Sequence, residues 1–463
     1  MIIDITGNVF FDAGYYLFYH ILKDKPFDEK EFSKDEIKKI INWMIEESNR
    51  WLENPRNKFS PYFLKHPISD PMIKYKSVKV EKSIKKLEGY LDSVKALQSK
   101  PCSICGKYES IKPPGLCRVE LPLAGSLQGR NFYPGWGEGI SSCGLCAIKS
   151  YATIFSTINT AGKIILLNSN SPTLMKLWIN NIARDQEKIA RQNLYEEKGP
   201  ITLEITNKLN VLYSLLLKLV EALNNSDSHD VSLGGIEFLY YTNFAATPDI
   251  EIYPISHHLF SFLIHVHNLQ LASQWNQFVY QFYTSKKVQY DESQQVLVFK
   301  EKKETRQANQ DEYQNNRNSV IEKLIRGQPL GIREFAHNKI LRIEYRIIEL
   351  YFLEVLKVEK ERVDFIKEFA DLIAEDIKNG HLKLSEVENA SQYNQFQRFI
   401  VRASRKHIQK TRSPLITLDD YVNNFMENWQ TMFNLLVLRL YETLADFIYE
   451  HKDKENAETE KGE

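Results

Sequence analysis

The chain has no excess charge of either sign: 60 Lys and Arg stand against 60 Asp and Glu in 463 residues. That balance excludes a polycation whose overall field holds nucleic acid, so any such binding must come from local patches. Long apolar runs are also missing. The best, VLYSLLLKLVEAL, is interrupted by Lys218 and falls short of the roughly 18 residues a membrane span needs. The opening MIIDITGNVFFDAGYY has neither a basic leader nor a small-residue cleavage site, which argues against a secretory signal. A cytoplasmic, reducing location without a membrane partner is expected, and structural disulfides are rare there. Neither a GxxxxGK(S/T) phosphate loop nor a GxSxG elbow occurs, so ATP hydrolysis and serine-hydrolase chemistry have no support.

Cysteine is scarce too, yet four of the five fall into two Cys-x-x-Cys pairs, Cys102/Cys105 and Cys143/Cys146, with 37 residues between them. Four thiolates at this spacing can converge on one tetrahedral ion, each two-residue gap letting a short knuckle supply two ligands. Gly106 and Gly144 provide small backbone positions beside the ligands, and helical patterning after the second pair sets Cys143 and Cys146 at a helix N-terminus, where thiolate is favoured. Ser141 and Ser142 are candidate caps of that helix. A closed set of four sulfurs predicts a structural zinc site rather than a catalytic one. A thioredoxin-like redox motif would need one pair in a βαβ context, and simple buried thiols are the blander alternative. Cys117, the odd one, is assigned to the core.

The patterning predicts an α+β protein: a mixed N-terminal domain over 1–300 with the zinc module at about 100–150, then an all-α bundle over 320–450. Ile37, Ile40, Ile41, Met44 and Ile45 recur at helical spacing within DEKEFSKDEIKKIINWMIEESNRWLEN. The helical stretch between Lys74 and Lys100 carries eight lysines against three acids; Lys79, Lys82 and Lys86 share a face that is either solvated or phosphate-tracking. KIILL at 163–167 has the look of a buried strand, IEFLYYTNF and DIEIYPI of β segments, and KKVQYDESQQVLVFK of a hairpin around Asp291–Ser293. EKKETRQANQDEYQNNRNS (301–319) has no aliphatic residue larger than Ala and is expected to be a linker. Gly380 and Thr417 are expected helix caps in the bundle, and 451–463 a disordered tail.

Three blocks, TGNVFFDAG (Thr6–Gly14), the Leu-Pro-Leu segment of ELPLAGSLQGRNFYPGWGEG, and the Cys-Gly-Leu-Cys knuckle, together resemble the CXXC-CXXC family of CRISPR-associated proteins. These are large subunits of type I interference (Cascade) complexes, here most similar to subtypes I-B or I-A. The resemblance covers about the first 150 residues. It implies a non-catalytic subunit of an RNA-guided antiviral complex that reads a short flanking motif in target double-stranded DNA near the 5′ region of the guide RNA. The implied partners are the backbone, 5′-handle-binding and small subunits and a recruited helicase-nuclease. Base pairing reads the target sequence in such a division of labour, and the protein reads only the flanking motif.

Within that expectation, the loop Ala124–Gly139 offers Gln128, Arg130 and Asn131 to base edges, and Phe132, Tyr133 and Trp136 as wedges. A Gly-rich structural loop packed on the zinc site is the competing reading. Asn8 and Asp12 match the N-terminal motif, and Asp12 is expected to be a hydrogen-bonding residue of the fold. Arg402, Arg405, Lys406, Lys410 and Arg412 surround His407 without an acid among them, and Lys339, Arg342 and Arg346 are expected on one helical face. Such groups fix phosphates without reading sequence. Two other classes stay open: a zinc-stapled interaction scaffold with no nucleic acid, and a metal-dependent nuclease using His257, His258, His265, His267 or the His229–Asp230 pair.

Overall fold

The computed structural model describes residues 1–52, 67–68, 70, 72–111, 115–117, 121–122, 139–160, 163–191, 205–226, 234–242, 249–301 and 304–450. The chain folds into two units, Met1–His257 and His258–Glu463. The boundary therefore falls well before the expected one near residue 300.

In the first unit, α1 (Val9–Ile21) starts at Asn8, whose side chain accepts the Phe10 N–H at 3.0 Å, and nine of its residues are buried. The second helix, α2 (Lys34–Trp51), begins with a capping box in which Ser33 and Glu36 exchange hydrogen bonds. This cap overrides the acids of 28–31, which lie ahead of the helix. The lysine-rich α3 (Lys76–Asp92) buries only Ser83, Leu87 and Leu91, so most of it is a solvated surface. All ten residues of α4 (Gly144–Thr153) are buried. A four-stranded antiparallel meander follows: β1 (Ile158–Thr160), β2 (Lys163–Ser169), β3 (Ile236–Thr242) and β4 (Asp249–Ile255), adjacent in chain order. Ile164 to Leu167 are fully buried, as a continuous apolar run predicts for a strand covered on both faces. Helices α5 (Pro172–Arg191) and α6 (Lys208–Asn224) lie between β2 and β3 in the chain.

The pairing of α1 with α4 organises this unit. A Cβ on Gly14 would lie 2.1 Å from the Lys149 carbonyl oxygen, so only glycine permits the helices to approach this closely. Thr153 then bridges the same two elements. Its hydroxyl receives the Gly14 N–H at 3.0 Å and donates to the Phe10 carbonyl at 3.0 Å. Ahead of α1, Asp12 accepts from the Thr6 N–H, the Thr6 hydroxyl and the Gly7 N–H, each at 2.8 Å. That closes the Thr-Gly-Asn turn, the hydrogen-bonding role the sequence assigns to Asp12.

The second unit is mostly helical, with small sheets. It runs α7 (His257–Asn268), α8 (Ala272–Tyr280), β5 (Tyr283–Thr284), β6 (Val288–Asp291), β7 (Val296–Glu301) and β8 (Glu304–Gln307). The predicted hairpin is β6–β7. The segment expected to be a linker is instead structured where it is described: β8 completes an antiparallel β6-β7-β8 sheet, α9 (Gln310–Gln314) follows, and β9 (Arg317–Asn318) pairs with β5. Its polar composition misleads because the core it joins is small. Val288, Leu297 and Ala308 form its buried cluster, with partly buried rings such as Tyr280, Tyr283 and Tyr313 packed around them. Arg306 pairs with Glu312, and Asn318 caps the next helix while donating to the Val279 carbonyl at 2.8 Å.

Beyond residue 319 come α10 (Ser319–Ile325), α11 (Ile332–Phe335), a hairpin of β10 (Ala336–His337) and β11 (Ile340–Leu341), then α12 (Tyr345–Glu354), α13 (Lys360–Lys378), α14 (Leu384–Glu388), α15 (Tyr393–Thr411), α16 (Leu418–Tyr421) and α17 (Trp429–Thr443). Gly380 follows α13 with φ +72°, and Thr417 caps α16 by accepting the Asp420 N–H, both as expected. The tail 451–463 lies outside the described residues. Among those described, no helix is long and apolar enough to cross a membrane.

The Gly14 contact is testable by thermal unfolding. Gly14→Ala meets backbone, which cannot rotate away, and should cost about 3 kcal/mol, a fall of roughly 6–12 °C for this unit. Gly89→Ala, with open space around it inside α3, should not lower the melting temperature.

Candidate metal centre

The sulfurs of Cys102, Cys105, Cys143 and Cys146 all lie within 4.8 Å of one another, and Cys105 and Cys143 are 3.7 Å apart. Four bonds of about 2.3 Å arranged tetrahedrally place sulfurs about 3.8 Å apart, so this spacing fits a single ion. It does not fit disulfides, which hold sulfurs about 2 Å apart; all five cysteines are free. Cys117 is buried but outside the cluster.

Each knuckle has its own frame. In the first, Gly106 at φ +66° turns the chain, its N–H returning to the Cys102 carbonyl at 2.9 Å. The Ile104 and Cys105 N–H groups approach the Cys102 sulfur at 3.4 and 3.5 Å. The second knuckle is the start of α4: Cys143 is itself the N-cap, in place of the expected Ser141 or Ser142, and Cys146 sits in the first turn. The knuckles are stitched together by Ser103 N–H to Ser141 carbonyl at 2.8 Å and Ile111 N–H to Ser142 carbonyl at 2.7 Å. Leu116 also pairs with Ile140, through N–H to carbonyl bonds of 2.9 and 2.6 Å.

Crowding sets the thiols against one another. Hydrogen bonds from Cys105, Cys143 and Cys146 hold the Cys102 thiol far below its ordinary value. Cys105 is opposed by Cys102 yet falls to about 6 through Cys143 and Cys146. Cys143 and Cys146 are pushed up, chiefly by Cys102 and then Cys105. A metal ion relieves this conflict by replacing the shared protons with one charge.

One residue that the sequence reading passed over belongs here. Lys149 lies one turn beyond Cys146, is 1 % exposed, and donates to the Asp4 carbonyl at 2.9 Å. Its charge works against the upward push on the Cys146 thiol. Four thiolates around a divalent ion leave a net negative charge, and a buried cation on the same helix compensates part of it. The available signal was a lysine three residues after the last cysteine in an otherwise apolar and small helix start. Asp4 is joined in turn to Lys30 at 3.0 Å and Lys107 at 3.1 Å, tying the N-terminal segment to the first knuckle.

The remaining sequence candidates fall out unevenly. Gln128, Arg130, Asn131, Phe132, Tyr133 and Trp136 lie outside the described residues, as do His229 and Asp230. On α15, Arg402 and Arg405 are exposed on the face opposite buried Phe396, Phe399, Ala403 and His407. Glu386 approaches Arg402 at 3.5 Å and Lys406 at 3.3 Å, so this face is partly neutralised by an acid distant in sequence. Arg405, Lys410 and Arg412 have no ion-pair partner among the described residues. His407 is a core group, held by buried Asp376 at 2.9 Å, and Asp376 also binds His381 at 3.1 Å.

The second basic set does not form a helical face. Lys339 sits in the β10–β11 turn, Arg342 just after β11, and only Arg346 is on α12. Asn338 and Lys339 have φ of 48° and 68°, the two-residue turn that favours hairpins over helix. All three nevertheless line one cavity of about 900 Å³ with Tyr345, Tyr441, Glu442 and Asp446. Lys339 pairs with Glu388 at 3.1 Å and Arg342 with Glu292 at 3.5 Å. The histidines of α7 do not gather: His265 pairs with Glu354 at 3.2 Å, and among the described residues the cysteines form the one metal-type cluster.

Compared with family models, curated proteins and solved structures, the chain matches none of them.

Metal content by mass spectrometry tests the centre. The purified chain should carry one metal ion; Cys143→Ser should lose it and lower the melting temperature of the first unit, while Cys117→Ser keeps it.

Proposed function

We propose that this protein is the non-catalytic large subunit of a type I RNA-guided DNA-surveillance complex, with zinc as the ion of its four-sulfur centre. The observation that carries the reading is the convergence of two sequence blocks behind the resemblance. Thr6–Gly14 and the Cys143–Cys146 knuckle are far apart in the chain, yet form one structural unit through the Gly14–Lys149 contact, Thr153 and the Lys149–Asp4 bond. Conserving their geometry requires both blocks together, which makes their joint occurrence more informative than a cysteine spacing alone. The segment assigned to flanking-motif reading lies outside the described residues, between Leu116 and Ile140, which pair with each other.

The exposed Arg405, Lys410 and Arg412 supply sequence-independent phosphate contacts to a target or displaced strand. In cells such a subunit works in the cytoplasm with guide RNA, the other Cascade subunits and a helicase-nuclease. An interaction scaffold that uses the metal only for stability is the reading to beat.

Purification of the tagged chain from its own cells at moderate salt separates the two. Co-elution in a large particle with a discrete short RNA supports the surveillance complex; a lone 54.2 kDa species without RNA, across repeated mild preparations, overturns it. Neutralising Arg405, Lys410 and Arg412 together should weaken DNA binding and flatten its log–log salt slope by about 2, some 0.7 per single-strand phosphate contact. A scaffold predicts no change.

A further inference from the structure

A second site lies in the first unit, formed by α1, the loop after it, and α5. It is a cavity of about 450 Å³, within the range of small-molecule sites. Its wall carries Lys23, Lys25, Lys176 and His20 and no carboxylate among the described lining residues. These cations differ in what they already bind. Lys25 is committed to the fold: its side chain is 5 % exposed, 2.7 Å from Glu29 and 3.1 Å from Glu36.

Lys23 and Lys176 have no ion-pair partner among the described residues. Lys23 is exposed at the rim, whereas Lys176 is half-buried with its ammonium 3.7 Å from the centre of the Phe27 ring. Burial pushes the Lys176 ammonium below the ordinary lysine value, against the pull of Asp28. A partly desolvated cation over a ring face, with no ion pair among the described residues, is a group that an incoming anion stabilises. His20 Nδ1 lies 2.8 Å from Asn180 Oδ1, which orients the imidazole and leaves Nε2 without a partner among the described residues. The rest of the wall is Tyr16, Tyr19, Phe27, Ile179 and Asn180, with Tyr16 buried and stacked on Phe27 at 5.5 Å with planes 9° apart.

We propose that this cavity binds the phosphate group of a phosphate monoester, with Lys23, Lys176 and His20 around it. Two lysines on one volume, with His20, oriented by Asn180, as a further polar group, match a phosphate's several acceptor oxygens, and lysine meets phosphate as a point charge needing no fixed fork. The same chemistry has two sources, a free nucleotide or the phosphorylated end of a strand. The proposal needs no RNA-guided assembly, so it stands or falls on the isolated chain.

Calorimetric titration of the full chain tests it with four probes: adenosine 5′-monophosphate, adenosine, and a short RNA with a 5′-phosphate or a 5′-hydroxyl. The monophosphate should bind and adenosine should not. Lys176→Met and Lys23→Ala should each weaken the monophosphate by about tenfold or more, with unfolding curves recorded for both; exposed Lys23 keeps the test decisive if Lys176→Met perturbs the fold. A preference for phosphorylated RNA over the free monophosphate assigns the site to strand ends, and equal binding assigns it to free nucleotides. No binding of either phosphorylated probe, equal binding of adenosine, or unchanged affinity in a folded variant overturns the proposal.

Discussion

The first unit depends on one backbone approach, that of α1 against α4 at Gly14 and Lys149. Because nothing separates the two helices there, α4 is buried on every side, and its first turn can present Cys143 and Cys146 from a fixed position. The metal centre and the N-terminal motif thus share a single constraint. Asp12 closes the turn that leads into α1, Thr153 latches α1 to α4, and Lys149 reaches back to the Asp4 carbonyl. A metal-binding knuckle is ordinarily an autonomous loop. Here one half of the four-sulfur cluster is the N-terminus of a core helix, so an ion held there would be coupled to core packing.

Electrostatics in this protein is local. The overall charge balance is kept at short range, by acids that answer particular cations: Glu386 for Arg402 and Lys406, Glu388 for Lys339, Glu292 for Arg342. Other cations, among them Arg405, Lys410 and Arg412 on one unit and Lys23 and Lys176 on the other, have no ion-pair partner among the described residues. A surface arranged this way has no strong overall field of one sign.

Much of the architecture was legible in the sequence for definite reasons. The cysteine pairs have a spacing that few other arrangements explain, KIILL is too short and too apolar for anything but a buried strand, and Ile37 to Ile45 follow helical spacing. The failures have equally definite causes. Residues 301–319 lack large aliphatics because the sheet they complete is packed by tyrosines and closed by the Arg306–Glu312 pair. Lys339, Arg342 and Arg346 fit a helical repeat, but the Asn338–Lys339 turn breaks it, and they meet around a cavity instead. The neutralising role of Glu386 could not be read at all, since it lies outside the basic run it serves. Pairings distant in sequence leave no periodicity to detect.

The pairing of Leu116 with Ile140 has a consequence for how the four sulfurs are brought together. It joins two positions distant in sequence, and the Ile111–Ser142 and Ser103–Ser141 bonds continue the same approach toward the sulfurs. With those contacts made, the two cysteine pairs no longer have to meet across a free loop of 37 residues. Gathering four ligands in one place then costs less chain entropy than their sequence separation implies.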